Sequence, residues 1–244
     1  MLKKIRQASV GIIVVFSALT LSACGGGSSG TEPRAQATEL KPGVFDIGRV
    51  FTDGSTKEGI SFLSPTGKFV AILDLVDFGT LTFSDSGQFL GQIEEYNLGN
   101  SSGPTSGTLS GEVKSSKEAT LTASKTDFAA NGLLFRDDKL SDLGVNFEKL
   151  SGSYGITNST PWINIGPTGE VTGGDGDCVF NGQIVIPDET INVFEVAYEA
   201  LNCSENERNG EFSGLGTYDH DPSRGEVLFY ARNGTVAWMF KGKR

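Results

Sequence analysis

Histidine and cysteine are scarce in this chain. It contains one histidine, three cysteines and two methionines in 244 residues. A zinc site needs three or four converging His, Cys or carboxylate ligands, and a Ser-His-Asp triad would have to use His220. That histidine lies in the polar segment Asp219-His220-Asp221-Pro222, which is typical of a solvent-exposed turn. We therefore predict a protein that is not an enzyme and has no catalytic site, metal site or cofactor.

Long apolar runs are also missing. The apolar run at residues 10–21 is about a dozen residues long, whereas a helix that crosses a bilayer needs roughly 20. Three cations, Lys3, Lys4 and Arg6, precede it. A charged segment followed by a short apolar segment is the pattern of a signal peptide. We predict that residues 1–23 are a cleaved export signal.

Basic residues are outnumbered by acidic ones. The chain has 20 Lys and Arg against 30 Asp and Glu, and loss of the three signal-peptide cations leaves 17 basic residues and a net charge of −13. An acidic body is a poor partner for nucleic acid or for anionic lipid headgroups. The charge predicts no nucleic-acid partner and suits solubility or a cationic partner.

The segment Leu21-Ser22-Ala23-Cys24 resembles the bacterial lipobox, with an aliphatic residue three before the cysteine and small residues between. The resemblance implies cleavage between Ala23 and Cys24, a diacylglyceryl group on the Cys24 sulfur and an acyl chain on the new amino terminus. Several acyl chains on one residue give stable membrane anchoring. Glycine rather than aspartate follows Cys24, which implies sorting to the outer membrane, facing either the periplasm or the cell surface. The alternative is an ordinary secretory signal with an incidental cysteine.

The rest of the chain has a β pattern. Residues 24–42 are rich in small polar residues without apolar periodicity, so they predict a flexible tether. Beyond them, 33 glycines and 8 prolines break the apolar content into short runs, which is typical of strands joined by turns. Alternating residues such as Phe194, Val196, Tyr198 and Ala200 place one face inward and charged neighbours outward.

Four short patterns occur twice in the same order, which predicts a duplicated unit of about 100 residues. The paired segments are Gly43–Ile47 with Gly152–Ile156, Pro65–Lys68 with Pro167–Glu170, Phe89–Ile93 with Phe180–Ile184, and Gly107–Gly111 with Gly210–Gly214. We predict an all-β fold with two tandem antiparallel meanders, each closed into a small barrel or sandwich of about seven or eight strands. The expected boundaries are 43–138 for the first repeat, 139–149 for a strand-plus-helix connector in which Leu140, Leu143 and Phe147 have helical spacing, and 150–244 for the second repeat.

The second repeat resembles the small calycin-like barrels of uncharacterised proteobacterial lipoproteins. The resemblance rests on Gly152-x-Tyr154, the Pro167-Thr168-Gly169 turn, Cys178–Gly182 and Cys203. It implies a barrel shape and no activity. The first repeat lacks both cysteines, and its Gly87 is aligned with Cys178 by the third pair of segments.

With Cys24 assigned to the lipid, Cys178 and Cys203 are the remaining thiols. An oxidising envelope compartment favours a disulfide between them. The alternatives, a redox pair or a metal site, lack a Cys-x-x-Cys spacing and a nearby histidine. Asp175 and Asp177 fit no calcium-loop spacing and are interpreted as polar turn residues.

The sequence leaves two leading functions open. One is a non-enzymatic binding module that takes a protein partner in the envelope or at the cell surface, or a small apolar ligand. It predicts an apolar cavity or patch near Trp162, Phe180, Tyr198 or Trp238. The other is a structural or assembly accessory of an outer-membrane complex. Enzymatic hydrolysis by the adjacent Glu94 and Glu95 is disfavoured, because adjacent strand residues point to opposite faces.

Overall fold

The computed structural model describes residues 38–125, 128–156, 159–221 and 225–244. The signal peptide, Ala23 and Cys24 lie outside the described residues, as does the tether up to residue 37. Within the described ranges, two closed antiparallel barrels of eight strands each follow one another along the chain. The prediction of an all-β, two-repeat meander fold is therefore confirmed.

Each barrel is an up-and-down meander. The first, barrel 1, consists of β1 (Gly43–Phe51), β2 (Thr56–Leu63), β3 (Lys68–Ile72), β4 (Val76–Phe83), β5 (Gln88–Tyr96), β6 (Thr105–Ser115), β7 (Glu118–Lys125) and β8 (Phe128–Arg136). The second, barrel 2, consists of β9 (Gly152–Ile156), β10 (Ser159–Ile165), β11 (Glu170–Gly174), β12 (Val179–Val185), β13 (Phe194–Leu201), β14 (Gly210–Asp219), β15 (Glu226–Arg232) and β16 (Ala237–Lys243). Buried positions alternate with more exposed ones along the strands, and the buried side chains fill each interior. In β7 these are Ala119, Leu121 and Ala123.

The connector consists of two single-turn helices, α1 (Asp138–Ser141) and α2 (Phe147–Leu150). Asp137 accepts a hydrogen bond from the Leu140 amide and Asn146 accepts one from the Lys149 amide, so each helix has a side-chain cap. The predicted continuous helical stripe is wrong at Leu143, which lies exposed between the two helices.

The turn after β2 and the turn after β10 show how the repeats correspond. The Gly67 carbonyl accepts a hydrogen bond from the Leu81 amide at 2.8 Å, and the Gly169 carbonyl accepts one from the Ile184 amide at 2.7 Å. Both glycines have positive φ, +84° and +93°, which their turns require. Leu81 on β4 is therefore equivalent to Ile184 on β12.

This register corrects one of the four sequence matches. Phe89–Ile93 lies on β5, whereas Phe180–Ile184 lies on β12, the equivalent of β4. The Phe-x-Gly-x-Ile pattern recurs because inward positions of neighbouring strands alternate between large and small residues, so it also matches strands that are not equivalent. The equivalent of Cys178 is accordingly Leu75, and the alignment of Gly87 with Cys178 is wrong.

The outer faces of the two barrels pack against each other through a third apolar cluster. It combines residues of β1 to β5 with residues of barrel 2 and of the loop between β12 and β13, namely Val44, Phe62, Val70, Val76, Phe78, Tyr96, Ile191, Val193, Leu215, Tyr230 and Ala237. In barrel 1 these side chains alternate with the interior ones along the same strands. Strands β3 and β4 are therefore buried on both faces, which removes the polar outward face that the alternation predicts.

Glu195 on β13 makes a buried polar contact in this interface. Its carboxylate accepts hydrogen bonds from the Ser64 and Thr66 hydroxyls at 2.6 and 2.5 Å and from the Lys68 ammonium at 2.5 Å. It is outward-facing in barrel 2, as the alternation predicts, but the Pro65-Thr66-Gly67 turn of barrel 1 covers it. A charge expected in solvent is thus buried between the repeats.

We expect acid to weaken the contact between the barrels through Glu195. Burial by itself raises the pKa of Glu195, but the hydrogen bonds from Lys68, Ser64 and Thr66 outweigh it and hold the pKa below 4.5. A lowered folded-state pKa contributes stability that is present above pH 4.5 and lost as the pH falls through the folded-state value. The variant Glu195→Gln should be less stable than wild type at neutral pH and should converge with it in acid, as measured by urea unfolding at several pH values. Parallel stability curves over the whole range would contradict this assignment.

A candidate ligand cavity in barrel 2

Barrel 2 encloses an apolar cavity of about 140 Å³ near the end at which β12 begins and β13 ends. Its walls come mainly from inward-facing positions of the seven strands β10 to β16. Aromatic rings from five of these strands dominate the walls: Phe180, Tyr198, Phe212, Phe229, Trp238 and Phe240. An engineered apolar cavity of roughly 150 Å³ binds benzene, whereas drug-sized ligands occupy about 300–1,000 Å³. The space therefore fits one small ring.

The aromatic walls are ordered by their contacts with Tyr198. Its ring stacks on Phe212 with centroids 5.0 Å apart, and Phe180 meets it edge to face at 5.5 Å. Gly182 is the cross-strand partner of Tyr198, and a Cβ there would lie 2.5 Å from the Tyr198 Cβ. The absence of a side chain at Gly182 is what leaves room for this ring inside the barrel.

The Tyr198 hydroxyl supplies one polar group to an otherwise apolar space. Within the part of the chain that the structure describes, it makes no hydrogen bond, and burial raises its pKa, so the phenol stays protonated at neutral pH. A buried tyrosine usually pairs its hydroxyl with a partner. The hydroxyl is therefore available to a ligand that carries one donor or acceptor.

Arg208, in a 3₁₀ turn at Asn206–Arg208, covers the cavity at its rim. Its guanidinium lies 4.5 Å from the centroid of the Trp238 ring and forms ion pairs with Asp175 and, at 2.9 Å, with Asp177. Arginine is suited to this place because its planar group can stack on a ring while its edge pairs with carboxylates. A ligand larger than one ring would have to displace it.

Asp175 joins this cover to the barrel wall. Its Oδ1 accepts hydrogen bonds from the amides of Asp177 and Cys178 at 3.1 and 2.7 Å. Burial would raise the pKa of Asp175, but these amide bonds and Arg208 outweigh it and lower the pKa. The carboxylate is therefore ionised at neutral pH and holds Arg208 in place.

The disulfide predicted between Cys178 and Cys203 is confirmed, with Cα atoms 4.4 Å apart. It ties the start of β12 to the segment after β13, on the same rim as Arg208. The Asn209 side chain bonds both the amide and the carbonyl of Cys203, which fixes the turn that carries Arg208.

Removing the disulfide should destabilise the protein strongly. A sequence separation of 25 residues corresponds to about 3.5 kcal/mol of loop-closure entropy in the unfolded chain. We expect the Cys178→Ser/Cys203→Ser double variant to lose roughly that amount in guanidinium unfolding. Reducing the double variant before unfolding should cause no further loss of stability. A difference well below about 1 kcal/mol between the double variant and wild type would show that the disulfide does not constrain the unfolded chain.

The cavity reaches the surface of barrel 2 beside β16. Pro161 on β10 and Met239 on β16 both line the cavity, although Met239 is outward-facing and exposed. In the described part of the chain, β16 pairs with β9 at one position, Lys243 with Gly155. A ligand would therefore meet the cavity beside Met239.

The structure brings together three of the four residues that the sequence predicts around an apolar cavity. Phe180, Tyr198 and Trp238 line it, whereas Trp162 lies on the outer face of β10 and is 48% exposed. The prediction of His220 as a solvent-exposed turn residue is wrong. His220 is half-buried against the Tyr218 ring at 5.0 Å, and burial together with Lys149 lowers its pKa.

Other sequence-based candidates are placed apart from this cavity. Glu94 pairs with Arg232 at 3.1 Å on the outside of barrel 1, and Glu95 points into barrel 1 toward Lys125. Across the described ranges, no group of three or more His, Cys, Asp and Glu side chains is placed to hold a metal ion. Arg208 had no sequence signal as the cavity's cover, because its role depends on the distant Trp238 and Asp175.

Comparison with protein-family models, with curated proteins and with solved structures finds no match for this chain. In the part of the chain that the structure describes, no helix has the length and apolar character needed to cross a membrane.

Proposed function

We propose that this protein is a lipid-anchored binding module of the bacterial outer membrane that takes a small aromatic molecule into barrel 2. The observation that carries the ligand class is the aromatic cavity with a single free hydroxyl, that of Tyr198, at its wall. The lipobox at Leu21–Cys24 supports the anchor, and the acidic body supports a soluble domain held at the membrane by lipid alone.

The cavity has the features of a site rather than of a packing defect. Native interiors hold few voids larger than a water molecule, so a space of about 140 Å³ that is lined mostly by aromatic rings is unusual. In barrel 2 the space reaches the exposed Met239 and is covered by the ion-paired Arg208, which a larger ligand would displace. A buried apolar space of this size stays dry, and an apolar guest gains its full contact energy there.

Binding can be tested with benzene and phenol as probes. We expect both to shift amide resonances of the cavity strands saturably in two-dimensional NMR, and phenol to bind better because its hydroxyl can pair with the Tyr198 hydroxyl. Ala200→Leu fills the cavity from β13 and should weaken binding by about tenfold or more, since two or three methylene contacts are lost at roughly 0.8 kcal/mol each.

Ala197→Leu is the matched control, because Ala197 lies on the same strand but faces solvent. It should bind both probes as wild type does. Equal binding by the two variants, or no saturable shift in wild type, would refute a ligand site in barrel 2.

A second candidate is an assembly accessory that docks on a partner protein of the envelope. It is favoured by a row of exposed apolar side chains on adjacent strands of barrel 2: Trp162 on β10 lies across Gly174 from Val179 on β12, which pairs with Leu201 on β13. Exposed apolar patches of this kind mark interaction sites. Co-purification with an outer-membrane barrel that Trp162→Asp abolishes, without any response to the aromatic probes, would favour this candidate.

Protease treatment of intact cells determines on which side of the outer membrane the protein body lies. A C-terminal epitope that is lost while a periplasmic control survives would place the body at the cell surface and favour an environmental ligand or partner. Protection of the epitope would place it in the periplasm and favour the assembly role.

A further inference from the structure

Barrel 1 has a cavity of its own, and that cavity is ionic. It is about 360 Å³ in volume, within the range of small-molecule sites, and lies at the end where β1 ends and β4 begins. Its apolar wall is short, consisting of Phe51, Leu73 and Leu75. Charged side chains make up most of the rest.

Three ion pairs lie at this cavity, and all of their members except Asp77 line it. They become less exposed with depth, and the deepest pair is almost completely buried. In order of depth they are Lys57 with Asp74 at 2.6 Å, Lys125 with Glu95, and Arg49 with Asp77 at 2.7 Å, the last two side chains being 4% and 1% exposed. Buried ion pairs are weak contributors to stability, because the cost of desolvation offsets most of the attraction. Fold stability alone therefore does not explain the two deeper pairs, Lys125 with Glu95 and Arg49 with Asp77.

The duplicated barrel shows that the fold does not need these charges. From the equivalence of Leu81 and Ile184, Asp77 corresponds to Phe180, and the cross-strand pairs then match Glu95 to Ala200. Phe180 and Ala200 line the aromatic cavity of barrel 2. The two barrels thus carry cavities at the same end, one apolar and one ionic.

The ionic cavity has an excess of donors. Arg49, Lys57 and Lys125 line it against Asp74 and Glu95, so its lining is net positive inside a protein whose overall charge is negative. Nη2 of Arg49 lies 2.7 Å from the Asp77 carboxylate, but this contact does not have hydrogen-bond geometry, so Nε and Nη2 of Arg49 and both Asp77 oxygens are buried without a hydrogen-bond partner among the described residues. A buried guanidinium donor without an acceptor is costly, and a carboxylate is the acceptor that fits its fork.

We propose that this cavity binds a small organic carboxylate, with Arg49 as the principal donor and Lys125 and Lys57 flanking it. The ligand completes the hydrogen bonding of Arg49 at the floor, and the lysines neutralise its charge. Glu95 and Asp74 hold the lysines in place. The site is independent of the aromatic cavity of barrel 2.

The test is an NMR titration of the purified full-length chain with succinate, observing the arginine Nε resonances. We expect succinate to shift the Arg49 resonance saturably, and methylammonium to leave it unchanged. The double variant Arg49→Met/Asp77→Leu removes the ion pair without leaving a lone charge, so it should fold and should lose succinate affinity by about tenfold or more. Lys41→Met, which removes an exposed lysine of another ion pair, should bind succinate as wild type does.

Each other outcome overturns the proposal. No saturable shift with succinate would exclude a carboxylate site, and unchanged affinity in the folded double variant would exclude Arg49 as its donor. A response to inorganic phosphate that exceeds the response to succinate would identify an inorganic anion site instead of one for organic carboxylates.

Discussion

Replacing Cys24 by alanine should move the protein from the membrane fraction to the soluble fraction. Without the thiol no diacylglyceryl group can be attached, and Leu21–Cys24 no longer forms a lipobox. Each buried acyl methylene contributes about 0.8 kcal/mol to membrane binding, so loss of two or three chains removes essentially all affinity for the bilayer. Fractionation of cells followed by detection of the chain measures the result, and incorporation of labelled palmitate should be lost in parallel.

The double variant Cys178→Ser/Cys203→Ser is the matched control for this experiment. It removes the other two thiols of the chain but leaves the lipobox intact, so it should remain in the membrane and incorporate palmitate. If Cys24→Ala stays in the membrane to the same extent as wild type, the ordinary secretory signal becomes the better interpretation and the anchor must lie elsewhere.

The fold class was predictable because its signals are local. Strand alternation, the Pro-Thr-Gly turns and the segments beginning at Gly43 and Gly152 each depend on neighbours in sequence, and β1 and β9 do begin at those glycines. The match between β5 and β12 failed because the same inward pattern suits any strand of a small barrel. The order of the strands in the two barrels, together with the hydrogen bonds of Gly67 and Gly169, shows which strands are equivalent.

The interface between the two barrels could not be predicted from the sequence. Val70 alternates with Phe69 on β3 and Phe78 with Gly79 on β4, so both segments are predicted to be strands. Nothing in either segment indicates which part of the chain covers the outer face. Glu195 shows the same limit, since its charge predicts solvent exposure until the Ser64 and Thr66 hydroxyls are seen around it. Contacts between segments more than 100 residues apart in the sequence produce no local periodic pattern from which they could be predicted.

The candidate sites were predictable to different degrees for the same reason. Aromatic residues at alternating positions predicted an apolar interior around Phe180 and Tyr198, and the structure places both at the cavity. The ionic cavity had no such signal, because Arg49, Asp77 and Glu95 come from three strands and meet only once the barrel closes. The one indication of a charged interior was Arg49, which lies at a position of β1 where the alternation predicts an inward-facing apolar residue.

Replacing Arg49 alone by methionine should be among the most destabilising single changes in the protein. It leaves the Asp77 carboxylate, 1% exposed, without its cation inside barrel 1. Removing one partner of a buried ion pair costs about 3–5 kcal/mol, since the remaining charge stays desolvated. The free energy of unfolding, measured in guanidinium at neutral pH, should fall by that amount.

The double variant Arg49→Met/Asp77→Leu distinguishes the cost of a lone charge from the loss of packing. With both charges replaced by apolar side chains, stability should return to within about 1 kcal/mol of wild type or exceed it, because a hydrophobic pair of similar volume is often at least as stable as a buried ion pair. Barrel 2, which has Phe180 at the position of Asp77, already folds with an apolar residue there. If the double variant were as unstable as Arg49→Met, the guanidinium would be acting through its packed stem, and the buried pair would be structural rather than retained for a ligand.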